Sequence, residues 1–138
     1  MINLYVELVD IMDLNGKVTS GYGKGCVFLS DEYYKKNINQ KCRFTPYPGT
    51  LNIIIDDKYI GNIIKIKKQT EKRIDGNENH GSVKFVKAIL EGSVHGAILF
   101  PDKTTHKENE IEFISEENLR SKFDLKDGDE VEITVYDI

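Results

Sequence analysis

Three scarcities narrow what this 138-residue chain can be. Cysteine is scarce: Cys26 and Cys42 are the two present, too far apart for the paired spacing of a zinc or redox motif. Both are expected as free thiols in or near the core, as in a reducing compartment. Long apolar runs are missing, and none approaches the roughly 20 residues of a membrane span. The first residues, Met1 to Tyr5, lack the basic-then-apolar order of a signal peptide, so a cytoplasmic protein is expected. Excess positive charge is also missing. The net charge of −4 opposes a general nucleic-acid binder, although an anion can still be held in a local basic pocket. His80 and His95 have no partners at metal-ligand spacing.

What is present reads as one globular domain over residues 1–138, since 39% hydrophobic and 30% charged residues suit a folded chain of this size. The pattern is mostly β. Leu4, Val6 and Leu8 alternate as a first strand, and Asn15-Gly16 is a hairpin signal. Short strands follow at Lys17 to Ser20 and Val27 to Leu29. Ser30 is placed as the cap of a helix running to about Asn39. Pro46 and Pro48 bracket a turn before a strand from Thr50 to Asp56. Tyr59 to Ile66 reads as two further short strands, and Lys67 to Gly81 as a long polar loop or mobile hairpin. Val83 to Leu90, Gly96 to Phe100 and Glu110 to Ile114 are strands. Ser115 is placed as the cap of a second helix ending near Phe123; then come a tight turn at Lys126 to Asp129 and a last strand through Val131, Ile133 and Val135. Many short strands with two short helices predict a small closed barrel, because closure removes exposed edges.

Two stretches carry chemistry. Gly21-Tyr22-Gly23-Lys24-Gly25 has glycines at alternate positions and one lysine. Without Cβ atoms its N–H groups can turn toward a polyphosphate, although a plain tight turn is the competing reading. It is not a P-loop, since Lys24 is followed by Gly25, nor a dinucleotide fingerprint, since Cys26 stands where the third glycine belongs. Pro48-Gly49-Thr50-Leu51-Asn52 places a hydroxyl and an amide oxygen at i and i+2, on one face of a strand. Such a pair can share a hard cation such as Mg²⁺, although Thr50 and Asn52 are also ordinary strand-edge residues. Glu112 and Glu110 share one face of their strand, which solvent alone would explain. Tyr22, Tyr33, Tyr34 and Tyr47 are candidates for an aromatic platform, with core packing as the default.

The run Val18 to Gly25, followed by Pro46-Tyr47-Pro48-Gly49-Thr50-Leu51-Asn52, resembles the archaeal CTP-dependent riboflavin kinases. Gly96 to Ile98 through Pro101-Asp102-Lys103-Thr104-Thr105-His106 and the stretch Leu119 to Asp129 agree, so the resemblance covers nearly the whole chain. It implies a six-stranded cradle-loop barrel, similar to that of riboflavin synthase, and transfer of the γ-phosphate of CTP to the 5′-hydroxyl of riboflavin, giving FMN and CDP. Carried over, Gly21, Tyr22, Gly23, Lys24, Gly25 and Cys26 would line the CTP phosphates. Glu117, Asn118, Leu119 and Arg120 would contact the cytidine nucleotide, Thr104 and Glu112 the flavin, and Thr50 and Asn52 would hold Mg²⁺. Glu112 is also the candidate general base. A monomer acting on CTP and riboflavin, with no nucleic-acid or membrane partner, is the expectation. A non-catalytic flavin- or nucleotide-binding module on the same barrel is the alternative; it need not keep Thr50, Asn52 and Glu112 together.

Overall fold

The computed structural model describes residues 11–20, 29–102 and 107–137. The expected strand around Leu4 to Leu8 lies outside them. The described strands are β1 (Met12–Asp13), β2 (Gly16–Thr19), β3 (Leu51–Ile55), β4 (Arg73–Ile74), β5 (Val83–Leu90), β6 (Val94–Pro101), β7 (Glu110–Ile114), β8 (Glu130–Val131) and β9 (Ile133–Asp137). All pair antiparallel in one sheet, ordered β1-β9-β5-β6-β7-β3-β2-β8, with β4 added beside β5.

The two ends of that order meet. Met12 faces Val135 and Asp13 faces Thr134, while Gly16 faces Val131 and Lys17 faces Glu130. The register is the same in both pairs, so β1–β2 and β8–β9 are two long strands, each interrupted once. Asn15 fills the interruption: its Oδ1 accepts from Ile133 N at 3.2 Å and its carbonyl from Asp56 N at 3.0 Å. Counted this way, six strands close a barrel, as a cradle-loop barrel requires. Asn15-Gly16 is therefore not a hairpin. Gly16 is needed for close approach, since a Cβ there would lie 2.2 Å from the Ile54 carbonyl oxygen.

Alternation along these strands sends one set of side chains inward. Val18, Ile53, Ile98, Phe113, Ile133 and Val135 meet in the barrel core and are all but fully buried. Each such aliphatic contributes about 1.5–3 kcal/mol on burial. A second apolar cluster lies outside the barrel wall. There Phe85, Ala97, Leu99 and Ile114 pack under Tyr34, Ile38 and Cys42 of helix α1 (Glu32–Cys42).

Several local expectations need correction. Asp31, not Ser30, caps α1 by accepting from Tyr33 N at 2.9 Å, and α1 continues to Cys42, where Arg43 ends it in the left-handed region. Residues Ile60–Gln69 form helix α2 after a short 3-10 turn, not strands. Ile63 and Ile66 lie one helical turn apart and both enter the barrel core, so tertiary burial overrides the β preference of isoleucine. Beyond α2, β4 and β5 form a hairpin turned at Asn77–His80. The hairpin is tied to α1: Tyr33 donates to the Asp75 carbonyl at 2.6 Å, Tyr34 to the Gly81 carbonyl at 2.9 Å, and His80 Nε2 sits 3.1 Å from the Asp31 carboxylate. Strand β6 is longer than expected at both ends. The last helix, α3 (Leu119–Phe123), is capped by Asn118; Ser115 builds the turn before it, its Oγ accepting from Glu117 N at 3.1 Å. The turn at Lys126 to Asp129 stands as expected, closed by Asp129 N to the Lys126 carbonyl at 3.0 Å. No described helix is long and apolar enough to cross a membrane.

Candidate active site

The outer face of the barrel changes from apolar to polar along one row. Phe85 faces Leu99, Leu99 faces Glu112, Glu112 faces Asn52, and Asn52 faces Thr19. Directly paired residues of antiparallel strands share a face. Asn52 and Glu112 thus stand side by side at the edge of the apolar cluster under α1. Thr50, two residues before Asn52, completes the group. Its Oγ1 donates to Glu112 Oε1 at 3.2 Å and accepts from Asn52 Nδ2 at 3.4 Å. The three side chains are half-buried.

The donor chemistry fits magnesium. The Thr50 hydroxyl and the Asn52 amide oxygen are hard oxygen ligands, and two on one face leave room for water and phosphate oxygens. Among the described residues no group of three or more His, Cys, Asp or Glu side chains is gathered for a metal, so a softer cation has no comparable site there.

Thr50 also borders a cavity of about 440 Å³ between the β3 entry and α3. Leu51 and Phe113 form its apolar floor; Tyr47, Glu117, Asn118 and Arg120 form its polar rim. The Asn118 side chain is fixed at both ends. Its Oδ1 accepts from Ser121 N at 3.2 Å as the α3 cap, and its Nδ2 donates to Tyr47 Oη at 3.0 Å. Tyr47 is further held by its own N–H, which donates to the Ser115 carbonyl at 2.8 Å. Glu117 pairs with Lys122 at 3.2 Å. Leu119 turns its side chain into the barrel core and is 5% exposed. Arg120 Nη2 donates to the Thr19 carbonyl at 3.1 Å and to Asp127 Oδ1 at 2.7 Å.

Thr50, Asn52 and Glu112 are thus brought together, and Thr50 links them to Glu117, Asn118, Leu119 and Arg120 across one cavity. Gly21, Tyr22, Gly23, Lys24, Gly25, Cys26, Thr104 and His106 lie outside the described residues. Of the candidate tyrosines, Tyr33 and Tyr34 serve the hairpin and α1, Tyr33 stacking on His80 at 4.5 Å. Tyr47, 40% exposed, is the one at the cavity among the described residues. Sequence reasoning missed Asp127 as a site residue. Its Oδ2 accepts from Ser20 Oγ at 2.5 Å, and its carboxyl is held below the usual range, first by that hydroxyl and then by Arg120. In the sequence it stood out only as part of a turn and of the Leu119 to Asp129 stretch.

Residues 18–135 match the family model CTP-dep_RFKase, described as a domain of unknown function, DUF120. The riboflavin kinase of Methanobrevibacter smithii is 47% identical over 122 residues, covering 88% of this chain and 98% of that protein. Riboflavin kinases of Saccharolobus solfataricus and Methanothermobacter thermautotrophicus are each 40% identical. They span 91% and 84% of this chain, and 74% and 93% of their own lengths.

Proposed function

This chain belongs to the CTP-dependent riboflavin kinase family, and on that premise we propose that it transfers the γ-phosphate of CTP to the 5′-hydroxyl of riboflavin, giving FMN and CDP. It is a kinase, and phosphoryl transfer asks its protein chiefly for positioning and charge neutralisation. The observation that carries the site reading is the hydrogen-bonded group Thr50–Asn52–Glu112 beside the α3 cavity.

In this reading the cavity between Tyr47 and α3 takes the cytidine nucleotide. The fixed amide of Asn118 and the cavity's polar rim orient it. Thr50 and Asn52 hold Mg²⁺ with the nucleotide, and that ion would neutralise charge on the phosphates. Glu112 accepts a hydrogen bond from the ribityl 5′-hydroxyl and directs its oxygen toward the phosphorus; as a carboxylate it can also take the hydroxyl proton. Gly21 to Cys26 would cradle the phosphates and Thr104 would contact the flavin, as the family resemblance implies. A cytoplasmic reaction suits the buried free thiol of Cys42.

The direct test is product formation. Pure protein with riboflavin, Mg²⁺ and CTP should yield FMN and CDP, and ATP should replace CTP poorly. No FMN with any nucleoside triphosphate would leave a binding module on this barrel.

A further inference from the structure

The turn between α3 and β8 carries Asp127, and its backbone is tied to β2. Val18 N donates to the Asp129 carbonyl at 2.9 Å, and Gly128 N to the Val18 carbonyl at 2.8 Å. Both bonds fall at the two residues after Asp127 and anchor the turn that carries it to β2. One carboxylate oxygen of Asp127 accepts from Ser20 Oγ at 2.5 Å and the other from Arg120 Nη2 at 2.7 Å. The same Nη2 reaches the Thr19 carbonyl at 3.1 Å. A single carboxylate thus joins the end of β2 to the helix that borders the cavity. The barrel ladder joins the same point to the Thr50–Asn52–Glu112 group, since Thr19 faces Asn52.

We propose that Asp127 is a positioning residue for the nucleoside triphosphate. It sets the Arg120 guanidinium against the cavity rim and sets Ser20, the residue before the glycine segment, relative to Asn52. The charge argument is specific. Arg120 is the cation on the cavity rim among the described residues, and Asp127 offsets it. If Arg120 acted only as a free charge attracting phosphates, its carboxylate partner would weaken nucleotide binding. If geometry matters, the partner strengthens binding despite its negative charge. The two cases predict opposite signs. A planar guanidinium is useful in a defined orientation, and a bonded carboxylate supplies that orientation.

This inference rests on the kinase reading, and the test keeps the two apart. Nucleotide affinity is measured by calorimetry with CTP and Mg²⁺ in the absence of riboflavin, and KM and kcat by FMN formation. Asp127→Asn keeps the shape but removes the charge and one acceptor. It should raise the Kd and KM for CTP about 5- to 10-fold, with the KM for riboflavin and kcat changed less than about twofold. Ser20→Ala, which removes only one bond and leaves Asp127 on Arg120, should shift CTP affinity in the same direction by a smaller factor. Unchanged or tighter CTP binding in Asp127→Asn overturns the proposal. So does an equal loss for both substrates, which would mark a merely structural role. Wild-type protein that makes no FMN overturns the kinase reading instead, and that outcome is separate.

Discussion

Thr50 and Glu112 lie 62 positions apart in the chain, yet the Thr50 hydroxyl donates to the Glu112 carboxylate at 3.2 Å. The pairing of β3 with β7 brings them together, because Asn52 faces Glu112 directly and Thr50 shares its side of the strand. A residue assigned to magnesium and a residue assigned to the acceptor hydroxyl are therefore one hydrogen-bonded unit. Metal and acceptor positions are coupled in the account that follows from it.

Glu112→Gln keeps the size and one acceptor oxygen but cannot take a proton. Turnover should fall by about 100-fold, the scale of a positioned general base. CTP affinity should stay within about twofold, since Glu112 lies outside the nucleotide cavity. Steady-state kinetics and calorimetry read the two quantities. Unchanged turnover would remove Glu112 from the chemistry.

Thr50→Val removes one hydroxyl from a half-buried site at nearly constant volume. The Mg²⁺ concentration for half-maximal rate should rise by about tenfold, and Asn52→Ala should do the same. Melting temperature should move little for Thr50→Val. A Mg²⁺ dependence identical to wild type in both variants would separate these residues from the metal.

Ile63 is fully buried in the barrel core, one helical turn from Ile66. Ile63→Ala should cost about 2–4 kcal/mol in unfolding free energy, measured by denaturant titration. Ile66→Ala should cost as much, whereas in a strand Ile63 and Ile66 would lie on opposite faces and one of the two would tolerate alanine. Ile64, 46% exposed, should accept alanine with a loss under about 1 kcal/mol.

The alternating strands were legible because period two survives in the sequence. Leu51–Ile55 and Glu110–Ile114 lie where alternation placed them, within a residue. The α2 segment was not legible, because its four isoleucines carry a β preference and only burial under the barrel decides for helix. Asn15-Gly16 misled for a related reason. A hairpin dipeptide can also interrupt a continuous strand, and the choice depends on Val131 and Ile133 at the other end of the chain. The pair Thr50 and Asn52 was visible locally as i and i+2. The bond from Thr50 to Glu112 and the clasp of Asp127 on Ser20 and Arg120 are products of long-range pairing, and no short window contains them.

Burial between α1 and the barrel wall pushes the Cys42 thiol up to about 11. The raised value means less thiolate at any given pH in the folded state. In a Cys26→Ser variant, Cys42 should react with a soluble disulfide reagent at pH 8 at least about 100-fold more slowly than a free thiol, and at the free rate once unfolded. Because the folded value lies above the unfolded one, the linked stability is intact below about pH 8.5 and declines as pH rises toward 11. Rapid labelling of the native variant at pH 8 would show that the end of α1 does not hold the thiol against the barrel wall.

The central claim is that phosphate is passed at the Thr50–Asn52–Glu112 group, with the nucleotide in the cavity beside α3. A crystal structure with CDP, Mg²⁺ and FMN tests it most directly. The account predicts the metal on Thr50 Oγ1 and the Asn52 side-chain oxygen, the CDP against Asn118, and the FMN phosphate within reach of Glu112. Metal and diphosphate bound at another face of the barrel, away from Thr50 and Glu112, would contradict it.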